Sequence, residues 1–331
     1  MKYLFSHDFQ NKNALNPANK AIQIYTQQMG YKFIQYPDGA DLEDKLSFIN
    51  PGDIVATAYP TFYETMPTKL GYERNLLLAL KKKEARMIGL VGDSFLLREN
   101  ELFGENEISI LNLFDVLSFP NQKMANELVN AGVHTKFVLQ GLYPYPSGDE
   151  VVLDKSLNTD RILYAGNLNK ADLFKDVTTV NSSQIFDVYG PGDFGTGSKI
   201  DQIMFHGAYP FEQLVSEIKE FDGFGLVWDG PNIPSLANTG RYTRYNYPYK
   251  ATQYLALNIP LVVWYGSALS EFVIDNNVGI AINNFNDLEQ RMNELSLTDI
   301  SRIRSSTQIM AVRVRSGEFF IKSVISAEML L

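Results

Sequence analysis

The sequence predicts an α/β protein made of two doubly wound parallel-sheet domains. Short apolar runs alternate with longer amphipathic stretches along nearly all of the 331 residues, the pattern of parallel strands covered by helices on both faces. The alternation stops once, at Gln140–Asp149, where Gly141, Pro144, Pro146 and Gly148 crowd together, and then restarts. A chain of this length also suits two domains better than one.

In the first domain, Lys2–Phe5 reads as a strand and Pro17–Met29 as a helix, with Pro17 suited to its first turn and Gly30 to its C-cap. Strand Lys32–Gln35 follows, then helix Asp41–Ile49, ended by Asn50-Pro51-Gly52-Asp53. Strand Ile54–Ala58 stops at Tyr59-Pro60-Thr61, helix Leu70–Lys83 comes next, and the buried strand Arg86–Val91 ends in Gly92-Asp93-Ser94. Helix Ile108–Phe114, strand Val116–Phe119, helix Asn121–Ala131 and strand Lys136–Leu139 complete the series. The second domain reads as strands Arg161–Ala165, Ile185–Tyr189 and Ile203–His206, helix Pro210–Glu220, strand Phe224–Trp228, helix Tyr249–Leu257 and strand Leu261–Trp264. Helix Leu269–Asn276, strand Gly279–Ile282 and helix Leu288–Leu295 follow, and the last 30 residues read as helical and amphipathic. The boundaries fall at residues 1–148 and 149–315, with 316–331 set apart. Two such domains facing one another create a cleft at the C-terminal ends of both sheets, where ligands of open α/β sheets bind.

Composition narrows the function. A net charge of −9 makes the chain a poor general binder of nucleic acid or of anionic membrane surfaces. Any phosphate must be met by a few locally placed cations. With no cysteine there is no disulfide or thiolate metal site, which fits a reducing compartment. The N-terminus lacks a signal-peptide apolar run, and no stretch approaches the roughly 18 apolar residues of a membrane span. The expectation is a cytoplasmic protein without an integral membrane segment. No carboxylate pair shows Asp-x-Asp spacing after a strand in a nucleotide domain, so no bound divalent metal is expected.

The densest motif is Arg241-Tyr242-Thr243-Arg244-Tyr245-Asn246-Tyr247-Pro248-Tyr249-Lys250, with three cations and four tyrosines in ten residues of an acidic chain. It leads into an apolar helix, a buried strand and Gly266-Ser267-Ala268. That order supplies what a nucleotide-sugar site needs: a cation for the diphosphate, hydroxyls and rings for sugar and base, and rigid elements to hold them. Lys250 opens a helix, where backbone N–H groups and the helix dipole already favour an anion. It reads as the diphosphate cation, or as a solvated lysine in a polar loop. Gly266, Ser267 and Ala268 read as a backbone phosphate site with Glu271 as an acceptor for ribose hydroxyls, or as an ordinary strand–turn–helix with an acidic first turn. Tyr209 reads as a stacking partner for the base or as a residue pinning a helix start. Gly166 lets a donor approach the backbone, and Lys170 is a second candidate cation. Gly190-Pro191-Gly192-Asp193-Phe194-Gly195 spells Gly-x-Gly-x-x-Gly. It opens no helix, so it reads as a turn-rich loop rather than a dinucleotide fingerprint. A sugar transfer with inversion needs a base for the acceptor hydroxyl. Asp93, at the end of an apolar strand, is the candidate, with His7 and Asp8 as rivals.

Four segments carry a resemblance: Phe224–Gly230, Tyr245–Lys250, Tyr254–Val263 and Glu271–Gly279. Together they resemble bacterial GT-B glycosyltransferases, and within those the β-1,6-galactofuranosyltransferase-like proteins and the glucosyltransferases of serine-rich-repeat adhesin glycosylation. In the first domain Gly52–Val55, Tyr59–Thr61, Phe119–Met124 and Val138–Gly141 fall in matching order. The resemblance implies two Rossmann-like domains facing a cleft, with residues 316–331 crossing back as a helix to the first domain. It implies a UDP-sugar donor, a saccharide or glycoprotein acceptor, no cofactor and no metal, and a homo-oligomer. Lys250, Lys170 and Tyr209 would lie near the nucleotide, with Asn246 and Tyr249 in the same Asn-x-Pro-x-Lys segment. Two departures stand out: Tyr249 where relatives often have His, and Gly92 where relatives often have His before the aspartate. An epimerase or synthetase of similar build, or a non-catalytic partner subunit, stays open as an alternative.

Overall fold

A computed structural model describes residues 1–6, 15–36, 42–60, 70–99, 104–146, 148, 151–176, 183–192, 202–231 and 239–331. The chain divides into two compact units, Met1–Pro146 with Gly317–Leu331, and Ser147–Ser316.

The first unit runs β1 (Lys2–Ser6), α1 (Leu15–Gln28), β2 (Lys32–Gln35), α2 (Leu42–Lys45), β3 (Ile54–Tyr59), α3 (Leu70–Lys82), β4 (Arg86–Val91), α4 (Phe95–Glu99), α5 (Gly104–Leu111), β5 (Val116–Phe119), α6 (Gln122–Asn130) and β6 (Lys136–Leu139). Its six strands are all parallel in the order β2-β1-β3-β4-β5-β6. β5 is buried throughout, as expected of a strand covered on both faces. Asn121 caps α6, its side chain accepting from the Met124 N–H at 2.9 Å.

The second unit runs β7 (Arg161–Ala165), α7 (Leu173–Asp176), β8 (Ile185–Tyr189), β9 (Ile203–Gly207), α8 (Phe211–Ile218), β10 (Phe224–Val227), α9 (Tyr249–Ala256), β11 (Leu261–Trp264), α10 (Leu269–Asp275), β12 (Gly279–Ile282), α11 (Leu288–Asn293) and α12 (Leu297–Arg315). Its strands are again parallel, in the order β12-β11-β10-β7-β8-β9. The core gathers Ile162, Tyr164, Phe186, Leu226, Trp228 and Val262, all essentially inaccessible. Below α9, the buried Lys155 donates to the Leu257 carbonyl at 2.8 Å, where the helix dipole favours a cation. Asn258 ties the same corner to Val152 and Leu153.

Several expectations change. The helix expected over Asp41–Ile49 is the shorter α2, because its turn closes early at Leu46 and Ser47 toward Asn50-Pro51. The helix expected at Ile108–Phe114 starts earlier, as α5. α4 and α7, of five and four residues, lack a full apolar period and carried no sequence signal. The last 30 residues are helical but broken. A Ser296–Asp299 capping box starts α12, and Gly317 ends it at φ 68° before α13 (Glu318–Leu330). A Cβ on Gly317 would lie 2.7 Å from the Tyr25 ring, so conformation and packing both require glycine there. α13 lays Phe320, Val324 and Ala327 on the core of the first unit, against residues such as Leu4, Tyr25 and Ile88.

Candidate functional site

The candidate site lies at the C-terminal ends of the strands of the second unit. There the β7 and β8 loops touch backbone to backbone. The Gly166 N–H donates to Tyr189 O at 3.0 Å. A Cβ on Gly190 would stand 1.7 Å from Gly166 O, and Gly190 adopts φ 141°. Gly190 is therefore the glycine that this loop pair demands. At Gly166 an added Cβ would meet only the Tyr164 ring at 3.4–3.5 Å, ordinary contact, so packing alone does not exclude a side chain there. Gly190-Pro191-Gly192 is a bend outside helix and strand; residues 193–195 of the same motif lie outside the described residues.

Pro248 precedes α9 in an extended conformation and Tyr249 opens the helix, which puts Lys250 in its first turn. Lys250 Nζ donates to Asp229 Oδ1 at 2.8 Å and to Trp228 O at 3.2 Å, and stands 4.6 Å above the Tyr164 ring. The Lys250 and Asp229 side chains are 14 % and 22 % exposed. Burial works against the ammonium charge. The Asp229 carboxylate, with Tyr164 and Tyr254, outweighs it and holds the group above the usual lysine range. One turn on, Tyr254 Oη accepts from the Ala165 N–H at 2.7 Å and pins α9 to the end of β7. Lys250 is thus a fixed, part-buried cation with a carboxylate partner, not a solvated one. Asp229 was missed in the sequence. Its signal was a carboxylate directly after an apolar strand, in Trp228-Asp229-Gly230.

Lys170 ends a 3₁₀ turn with its side chain exposed. Its carbonyl accepts from the Gly230 N–H at 2.7 Å, so its backbone lies beside the strand end that carries Asp229. Asn246 follows the 3₁₀ turn Thr239–Arg244, and its Oδ1 is buried with no hydrogen-bond partner among the described residues. Tyr209 packs on Tyr189 with ring centroids 6.2 Å apart.

The Gly266–Ala268 expectation changes. The Ser267 N–H donates to Trp264 O at 3.0 Å and the Ala268 N–H to Thr243 O at 2.9 Å. Both amides are committed to carbonyls and do not form the phosphate site expected of them. Gly266 is required by packing, because a Cβ would lie 2.4 Å from the Trp264 ring. Arg244 lies 4.9 Å over the same indole. Glu271 is exposed on α10.

In the first unit, Asp93 accepts from Arg98 Nη2 at 2.7 Å, with its side chain 18 % exposed. His7 and Asp8 lie outside the described residues. Glu107, unremarked in the sequence, is fully buried beside the Asp93 loop. It accepts from the Phe95 and Leu96 N–H groups at 3.1 and 2.7 Å, from Ser94 Oγ at 2.9 Å and from Tyr59 Oη at 3.2 Å. It caps α4 from outside that helix. Burial pushes its carboxyl up against the pull of those four donors. Tyr143 Oη donates to Gly92 O at 2.7 Å and would stand 3.0 Å from a Cβ at residue 92, so Tyr143 occupies the space that a larger residue there would need. Among the described residues no group of three histidines and carboxylates is placed to hold a metal ion, and no helix is long and apolar enough to cross a membrane.

Comparison with known proteins agrees on one group. Residues 3–142 match the model for "Glucosyltransferase 3-like, N-terminal domain" and residues 162–327 the model for "Glucosyltransferase 3-like, C-terminal domain". Glucosyltransferase 3 of Streptococcus parasanguinis is 22 % identical over 281 residues, 84 % of this chain and 79 % of that protein. Beta-1,6-galactofuranosyltransferase WbbI of Escherichia coli K12 is 29 % identical over 98 residues, 29 % of this chain, and the match spans only 30 % of WbbI. Among solved structures, Anabaena Alr3699/HepE in complex with UDP superposes with a TM-score of 0.64 at 12 % identity, covering 98 % of this chain and 100 % of that one. T4 phage BGT in complex with UDP-glucose gives 0.57 at 12 % identity, covering 99 % of both. These likenesses show the GT-B fold, with two Rossmann-like units of six parallel strands each.

Proposed function

The chain belongs to the glucosyltransferase 3-like family, and from that premise we propose that it is a hexosyltransferase whose donor is a UDP-sugar, with Lys250 holding the donor diphosphate. The observation that carries the assignment is the Lys250 ammonium: charged, part-buried and rigidly held at the C-terminal edge of a parallel sheet. In the transfer the bond from the sugar's anomeric carbon to the diphosphate oxygen breaks, and a bond to an acceptor hydroxyl oxygen forms. The UDP leaving group gains charge as it departs, which a preorganised cation stabilises. The acceptor proton passes to a base, for which Asp93 is the candidate. Lys170, Asn246 and Tyr209 make further donor contacts in this reading, while Tyr249 and Glu271 flank the site.

The acceptor is a saccharide, a GlcNAc-modified adhesin or a glycan intermediate, and the reaction proceeds without a metal. The enzyme works in the cytoplasm as a homo-oligomer. The partial match to a galactofuranosyltransferase favours, as a second reading, transfer of galactofuranose into a surface polysaccharide. The two readings separate in a screen of UDP-glucose, UDP-GlcNAc, UDP-galactose and UDP-galactofuranose, read as UDP release with a GlcNAc-peptide acceptor and repeated in EDTA. Product from UDP-glucose at undiminished rate in EDTA is expected. No transfer from any donor supports a non-catalytic subunit. Lys250→Ala is expected to weaken UDP binding by about tenfold or more, the scale of a charge-assisted contact; wild-type UDP affinity in that variant removes the assignment.

A further inference from the structure

We propose that Asp187 and His206 form a positioning pair that holds the aromatic wall of the nucleobase site at the β8–β9 edge. The inference rests on the reading of Tyr209 as a donor contact and names the residues that fix it in place. Asp187, in mid-strand on β8, is 1 % exposed yet carries a carboxylate. Such a group needs full pairing. Arg161 supplies it at Oδ2 through Nε at 3.1 Å and Nη2 at 2.8 Å, and His206 Nε2 lies 2.8 Å from Oδ1. His206 occupies a break in the β8–β9 ladder, where Val188 pairs with Phe205 and Tyr189 with Gly207. An extra residue of this kind is free of the ladder and can re-aim its side chain. Here the imidazole turns onto Tyr189, with ring centroids 4.5 Å apart and planes 11° from parallel. Tyr189 in turn is the ring on which Tyr209 rests. The ladder of contacts therefore runs Arg161, Asp187, His206, Tyr189, Tyr209. Its anchor is an ion pair whose carboxylate is buried and whose Arg161 side chain is 37 % exposed, and its far end is the residue assigned to the base.

A carboxylate on one imidazole nitrogen sets the ring's orientation, as it does for metal-ligating histidines. The stacked tyrosine then inherits that orientation. A nucleobase binds by laying its face on a ring, so a wall held flat before the ligand arrives spares the ordering cost on binding. The polar edge of this device faces Asp187, and its flat face serves the aromatic cluster. Nothing in it touches the diphosphate cation, Lys250.

The test is calorimetric titration of the whole chain with UDP and, separately, with inorganic pyrophosphate. Tyr209→Ala is expected to weaken UDP about tenfold, the scale of one stacked base, and to leave pyrophosphate unchanged. His206→Ala is expected to weaken UDP about fivefold, the scale of one aromatic pair, again with pyrophosphate unchanged. His206→Phe keeps a ring against Tyr189 but loses the contact to Asp187, and is expected to weaken UDP as His206→Ala does, again with pyrophosphate unchanged. Wild-type UDP affinity in His206→Ala, beside a weakened Tyr209→Ala, overturns this inference alone. Equal weakening of UDP and pyrophosphate in His206→Ala also overturns it, since a general loss of structure then explains the effect. Wild-type UDP affinity in Tyr209→Ala removes the underlying base reading and the inference with it. If His206→Ala does not fold, His206→Phe decides, and wild-type UDP affinity in that variant overturns the proposal.

Discussion

Lys250 and Asp229 form a 2.8 Å ion pair across the gap between the start of α9 and the end of β10. The cation assigned to the donor diphosphate is therefore already neutralised by the protein. An incoming diphosphate meets the attraction of Lys250 and the repulsion of Asp229 together. Asp229→Asn leaves a part-buried ammonium without its counter-charge. The variant is expected to lose about 1–2 kcal/mol of stability without ligand, less than a fully buried pair because both side chains keep some exposure. It is also expected to gain a larger UDP-induced rise in Tm than wild type. Thermal unfolding with and without UDP reads both, and an unchanged UDP shift sinks the competition between Asp229 and the diphosphate.

Gly266, Trp264 and Arg244 form a second linked set. A methyl on Gly266 drives into the indole, and the indole carries the Arg244 guanidinium. Gly266→Ala is expected to cost about 1–3 kcal/mol, the usual scale of core overpacking, and to change the near-UV signal of Trp264, one of only two tryptophans. Denaturant unfolding followed by tryptophan fluorescence measures it. A neutral substitution means that the indole moves aside at no cost.

Lys155 makes stability depend on pH. Burial pushes its ammonium down to about 8, against the opposing pull of Asp222 and Glu220. In the unfolded chain the same group titrates near 10.5. Between those values the unfolded state binds more protons, so stability rises as pH increases from about 8 toward 10. Below pH 8 both states are protonated, and the burial cost of the charge is present in full. Lys155→Met is expected to flatten this slope. Urea midpoints measured from pH 7.5 to 9.5 give the comparison, and equal slopes in the two proteins refute the assignment.

Asp93, the proposed base, follows β4, and Glu107 on α5 holds the turn that comes after it. Asp93→Ala is expected to lower kcat by about a hundredfold or more while leaving UDP affinity intact, as loss of a base does. Glu107→Ala strands three buried donors and the part-buried Leu96 N–H, and is expected to destabilise the chain by about 3 kcal/mol or more, because each unsatisfied buried group costs about 1–3 kcal/mol. Steady-state kinetics with a UDP titration, beside denaturant melts, separates the roles. Wild-type kcat in Asp93→Ala sends the search for the base elsewhere.

Much of the fold was legible because parallel strands leave a strong mark. Arg86–Val91, Val116–Phe119 and Leu261–Trp264 are apolar runs bounded by polar turns, and each is a strand. What was not legible was short or relational. α4 has five residues and is held by Glu107 from another helix, a contact with no local trace. In the candidate site, Lys250 stood out because its sequence neighbours are unusual. Asp229 did not, because its meaning comes from a residue 21 positions away. The Gly266–Ala268 turn misled for the same reason. Its glycine answers to Trp264, and the Ala268 amide is claimed by Thr243, a partner outside the turn.

The return of the chain through Gly317 has a consequence for biosynthesis. The first unit is finished by α13, whose Phe320, Val324 and Ala327 close its core. A ribosome that has just completed Pro146 has therefore delivered a sheet with one side of its apolar core still open. All of Ser147–Ser316 must be made before the missing helix appears, roughly ten to thirty seconds at ordinary elongation rates. During that interval the nascent first unit exposes an apolar face to solvent or to a chaperone, and the unit made second can be complete before the unit made first.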